Sequence, residues 1–187
     1  MVKTKIELKF SFLAVLSVIL CTDTEGTALQ CLLACALHEA GHITAMLFSG
    51  NPPEKIVFAG GGIKLKGKND KNPAVIIGGC FVNFILFGIF YFLSSNYSFK
   101  LFGIINLLTG VFNLIPVCPL DGYHLLEIVL IKLISPEKIG KVLKITEITA
   151  CVLSAPFILI FFFRGSVNFS LVIFLFYLFV VDIIENL

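Results

Sequence analysis

Residues 27–50 form an apolar run whose only ionisable side chains are His38, Glu39 and His42. The run is long enough to cross a bilayer. A charged group at mid-bilayer depth costs roughly 2.5–3.5 kcal/mol even on lenient insertion scales. Polar side chains set there need partners that stay inside the fold. The run therefore restricts the chain to folds in which another segment, at the same depth, offsets that cost.

The remaining sequence has the composition of a membrane protein. Only 14% of the 187 residues are charged, against about 25% in soluble domains, and 20 residues are Phe. Residues 74–93, 101–120, 148–163 and 165–181 are uncharged stretches. A tilted helix needs roughly 17–25 residues to span, so the last two are short but usable. A weaker run at 10–22 reads as a short span with Lys9 snorkelling, or as an interfacial helix. The expected fold is thus an all-α polytopic membrane protein with about six transmembrane helices, the first one short.

Lys3, Lys5 and Lys9 before that first run would also suit a cleaved signal peptide. No small-residue cleavage pattern follows, so a retained anchor is favoured. Of the 14 Lys and Arg residues, all but Lys100 and Arg164 fall on alternate connecting segments. By the positive-inside rule those segments, and both termini, are cytoplasmic. The expected location is the cell membrane, multi-pass, and the Trp-free, Phe- and Lys-rich makeup suits a bacterial chain. The six cysteines lie almost entirely in apolar runs and read as small core fillers.

After the second span, "KIVF" and "IKLK" flank "AGGG" at residues 59–62, which predicts a small β-hairpin on the cytoplasmic side. A second basic segment, roughly 132–147, reads as a loop between the fourth and fifth spans. Everything else reads as helix and tight connection.

The chemistry-bearing pattern is "HEAGH" at 38–42. On a helix, residues four apart share one side, so both imidazoles can reach one zinc ion. Glu39, turned about 100° from His38, stands beside such an ion without ligating it. Structural zinc binding supplies about 10–16 kcal/mol, enough to hold these groups in an apolar segment. Cys31 and Cys35 share the face of the histidines, but thiolates beside a catalytic zinc would close its open position.

A catalytic zinc takes three protein ligands, and Asp121 fits as the third. His42 lies roughly 13 Å, and Asp121 roughly 16 Å, from the cytoplasmic ends of their spans at 1.5 Å per residue. A turn aspartate in "PLDG" is the structural alternative. Pro116 and Pro119 rule out regular helix before Asp121, and broken backbone at membrane depth must be buried in protein or line a wet cavity. Asn113 could donate to a developing oxyanion or hold substrate backbone. His124 and Asn83 carry weaker signals: the first as a residue behind the ligands, the second as a helix–helix hydrogen bond or a substrate contact.

"HEAGH" together with "NLIPVCPLDG" at 113–122 resembles the site-2 proteases, intramembrane zinc metalloproteases. The compact form is similar to the branch containing the sporulation protease that processes a sigma-factor precursor. The resemblance implies that His38, His42 and Asp121 bind one Zn2+ and that Glu39 is the catalytic base. It makes Asn113 a substrate or oxyanion contact. "GCFVN" at 79–83 resembles the family's G-P-x-x-N, with Cys80 in place of proline. "FAGGG" at 58–62 looks like the turn of a substrate-positioning hairpin, and Tyr123 stands where a second glycine is frequent.

The implied protein is a single membrane-embedded metalloprotease domain, 1–187, with its catalytic core at 27–131. No PDZ insertion or C-terminal regulatory domain is expected. It would hydrolyse membrane-protein substrates near the cytoplasmic face, in regulated intramembrane proteolysis. The bilayer is its other partner, nucleic acid is not, and a regulatory membrane partner or a homo-oligomer stays open. The rival readings are a non-proteolytic zinc-binding membrane protein and a membrane zincin with Glu127 replacing Asp121.

Overall fold

The computed structural model describes residues 4–23, 26–59, 62–67 and 72–163. In chain order these form β1 (Lys5–Leu8), α1 (Phe10–Thr22), α2 (Thr27–Phe48), β2 (Lys55–Ala59) and β3 (Gly62–Lys66). Then follow α3 (Pro73–Phe92), α4 (Tyr97–Asn113), α5 (Asp121–Leu133) and α6 (Pro136–Phe163). The last apolar run, 165–181, lies outside the described residues, as do the two central glycines of the hairpin turn.

Local chemistry sets most of the helix ends. Asn72 accepts a hydrogen bond from the Ala74 amide (3.0 Å), with Pro73 at the first helical position of α3. Asn96 does the same for Ser98 at the start of α4 (2.8 Å). α2 ends where Gly50 turns left-handed (φ 71°), so that Gly50 and Asn51 donate back to Leu47 and Met46.

α2 and α3 are long and apolar enough to cross a membrane. Ile77, Phe81, Ile85 and Ile89, four residues apart, run down the outer face of α3 and are each 44–59% exposed. In water that stripe would be an aggregation liability; against acyl chains it is the expected surface.

Small residues hold α2 and α3 together. A Cβ on Gly41 would overlap the Gly78 carbonyl oxygen and sit 2.9 Å from the Gly79 Cα. One on Gly78 would lie 2.8 Å from Gly41 O and 2.9 Å from Ala45 Cβ. Where lipid competes as well as any apolar side chain, such backbone approach is what favours helix pairing.

Two expectations need correction. The fold is not all-α: the predicted hairpin exists, but β1 adds to it, in the order β1-β2-β3, parallel to β2 with Lys5 opposite Lys55. Only contact with β2 can turn the short KIEL segment into a strand, and Glu7 then bridges Lys5 (3.0 Å) and Lys55 (2.8 Å). Those two ammonium groups hold the Glu7 carboxyl below the usual carboxylate range. The 132–147 segment is not a loop: α5 continues to Leu133 and α6 starts at Pro136. Its lysines, being good helix formers, keep the backbone helical. Within the 101–120 run, α4 stops at Asn113 and Asp121 opens a new helix, the break that Pro116 and Pro119 impose.

The α2–α3 seam yields a direct test. Gly78→Leu should destabilise the protein by about 1–3 kcal/mol or more, read as a lower Tm in detergent. Gly88→Leu on the same helix, where a Cβ meets nothing within 4 Å, should leave Tm nearly unchanged. Equal Tm values for the two would refute the seam.

Candidate metal centre and catalytic cavity

α2 turns His38 and His42 inward, 3% and 8% exposed. Their Nε2 atoms lie 3.0 Å apart. His42 Nδ1 lies 2.8 Å from the Val75 carbonyl oxygen, so its N–H donates there and Nε2 is left as a lone-pair donor. His38 Nδ1 is buried with no hydrogen-bond partner among the described residues.

The third group arrives from a distant part of the chain. After Asn113, residues 114–120 close on themselves through tight turns, with Val117 donating to Ile115 O and Leu120 to Val117 O, both at 2.8 Å. The Cys118 amide, which these turns leave over, donates to Glu147 Oε1 on α6 (3.3 Å). The amide donors of the broken segment are thus satisfied within the protein. A Cβ on Gly122 would overlap the Leu114 carbonyl oxygen, so only glycine lets α5 begin this close to the turn. Asp121 sits in the first turn of α5, where a negative side chain is favoured by the helix dipole.

Asp121 Oδ2 lies 3.1 Å from His38 Nε2 and 3.2 Å from His42 Nε2. Ligand atoms at about 2.0–2.1 Å from a tetrahedral zinc are about 3.3 Å from one another. Two imidazoles and a carboxylate converging within 3.2 Å therefore fit a zinc ion. Gly79 seals the opposite side: a Cβ there would be 2.5 Å from His42 Nε2 and 2.7 Å from His38 Nε2.

Glu39 does not join this cluster. It faces a cavity of about 920 Å³ whose walls include Phe12 and Leu16 of α1, Ile63 of β3, Leu108 of α4, and Asn113. His38 lines the same space, so the cavity reaches the ligand set. α1 is docked over it by an edge-on Phe12–Phe58 ring contact (centroids 5.3 Å). The lining is overwhelmingly apolar, with Glu39 and Asn113 among its few polar groups.

Each residue singled out in the sequence can now be placed. His38, His42 and Asp121 meet at one point, and Glu39 and Asn113 share the adjoining cavity. The Asn113 amide donates to Thr109 O (3.0 Å). Glu127, the rival ligand, lies 3.8 Å from His124 on its own helix. Cys35 lines the cavity and Cys31 is exposed; neither reaches the donor cluster. Asn83 is fully buried and does not line this cavity, and neither polar atom of its side chain has a hydrogen-bond partner among the described residues, so the expected helix–helix hydrogen bond is not formed. Two contributions were not foreseen: the α1 wall of the cavity, and Cys80, whose thiol donates to Asp121 Oδ2 at 3.6 Å. The departure from the G-P-x-x-N pattern at residue 80 was the one sequence signal available for the latter.

Residues 93–153, which include the Asn113–Gly122 motif, match the family model for peptidase family M50. No curated protein sequence gives a significant match. The fold superposes on that of the site-2 protease from Methanocaldococcus jannaschii with a TM-score of 0.57 and 24% sequence identity, covering 94% of this chain and 85% of that one. The chain thus shares its fold with that site-2 protease, and its 93–153 segment is similar to peptidase family M50.

Proposed function

We propose that this protein is an intramembrane zinc endopeptidase that cleaves membrane-embedded or membrane-associated proteins near the cytoplasmic face, in regulated intramembrane proteolysis. The observation that carries this reading is the meeting of His38, His42 and Asp121 at the end of an apolar cavity onto which Glu39 opens.

His38, His42 and Asp121 would hold the ion, whose chemistry when bound is Lewis-acid polarisation of a peptide carbonyl and activation of water at neutral pH. Glu39 is placed to take the proton from the attacking water and return it to the leaving amine. Asn113 sits at the cavity wall, where its amide can leave Thr109 O and donate to the carbonyl under attack or hold substrate backbone. The apolar walls keep bulk water away and suit a stretch of membrane-derived peptide.

A helical substrate hides its carbonyls in its own hydrogen bonds and has to unwind before cleavage. Strand addition to the sheet would stabilise the extended form. β2 is paired on both sides, so the edge strands β1 and β3 are the available partners. β3 is favoured because its Ile63 already lines the cavity.

Three outcomes follow. Glu39→Gln should lower cleavage of a co-expressed substrate by roughly 100- to 10,000-fold, the usual range for a general base, while zinc content stays at wild-type level. Unchanged processing would instead support a non-proteolytic zinc-binding membrane protein. Asp121→Ala should lose zinc on purification, measured by metal analysis, whereas Glu127→Ala should retain it; the reverse pattern would unseat Asp121. Deleting residues 55–66 should impair cleavage of a helical substrate more than zinc binding, and equal loss of both would remove the strand-addition step.

A further inference from the structure

Cys80 carries a potential metal-ligating atom that the proposed mechanism leaves unused. It sits on α3, one residue after the glycine that seals the donor cluster, and is 1% exposed. Its Sγ lies 3.6 Å from Asp121 Oδ2, the same oxygen that meets both histidines. Donor atoms of His38, Cys80 and Asp121 all lie within 4.8 Å of one another. A zinc–sulfur distance of about 2.3 Å and a zinc–oxygen distance of about 2.0 Å give a tetrahedral sulfur–oxygen edge of about 3.5 Å. The observed 3.6 Å matches that edge. A thiol that merely filled space in the α3 core could point anywhere along the helix; this one points at the metal-binding carboxylate.

We propose that Cys80 is a fourth protein ligand, so that the resting centre holds zinc through two histidines, one aspartate and one cysteine. The inference rests on the metalloprotease reading above. Coordination takes the thiolate form, its proton passing to solvent as the metal binds. Four protein ligands leave no position for water. Hydrolysis would then begin with release of the Cys80 thiolate, which takes a proton back. A thiolate also makes the site softer than two imidazoles and a carboxylate, shifting its preference towards thiophilic metals.

The test is zinc K-edge X-ray absorption on the full-length wild-type protein in detergent, with the optical spectrum of the cobalt-substituted form. The expected result is one sulfur scatterer at about 2.3 Å and a thiolate-to-cobalt charge-transfer band. Both should disappear in Cys80→Ser with metal still bound. Both should persist when the other five cysteines are replaced by serine, a variant that decides the matter even if Cys80→Ser does not fold. A wild-type shell of nitrogen and oxygen alone, or a sulfur signal surviving in Cys80→Ser, would overturn the assignment and leave Cys80 a hydrogen-bond donor. Wild-type protein that shows the sulfur but cleaves nothing would uphold Cys80 and refute the protease; protein that takes up no zinc would refute both.

Discussion

The structure depends on three hydrogen-bonding side chains, two of them buried and one partly buried, meeting at one point. His38 and His42 come from adjacent turns of α2, but Asp121 begins a helix about 80 residues later. An unpaired carboxylate in such surroundings would expel itself or take a proton, and two buried imidazole nitrogens 3.0 Å apart would repel. A shared cation removes both difficulties at once. The helices must then be held close enough to share it. Glycines at 41, 78 and 79 bring α2 and α3 into backbone contact, and Gly122 lets α5 start beneath the turn that follows α4.

The cavity beside the donor cluster depends on the same arrangement viewed from the other side. With the ligands facing α3, residue 39 is rotated away from them towards α1, the sheet tip and the end of α4. One helical turn thus serves both the donor cluster and the apolar cavity, which meet at His38. The sheet contributes by carrying Phe58 under Phe12, which fixes α1 as a wall, and by presenting Ile63 to the interior. The Glu7 ion pairs that tie β1 to β2 secure this assembly at its outer, solvated edge, where they contribute little individually.

Local signals were legible wherever a single segment decides its own state. The helical pairing of His38 with His42 follows from a spacing of four, and the break before Asp121 from two prolines. The hairpin followed from two β-prone runs around glycines. Signals that need a partner were not legible. KIEL has the alternation of a strand but is too short to be one until β2 lies beside it. The 132–147 segment reads as a loop by its density of charge, although its lysines and glutamates are themselves good helix formers. Cys80 was visible as a departure from a pattern, yet nothing in its neighbours on the chain points it at Asp121.

The sequence by itself determined that this is a membrane chain, that one helix carries two histidines at metal-ligand spacing with a carboxylate beside them, and that a broken segment carries an aspartate. These are statements about composition and about neighbours on one strand or turn, where spacing alone sets geometry. Only the tertiary structure decided that Asp121 closes on both histidines, that Glu39 faces a cavity rather than the ligands, and that β1 and Cys80 have a part at all. Each of those depends on how closely helices far apart in the chain approach, and glycines at the crossings set that distance only once both helices are in place.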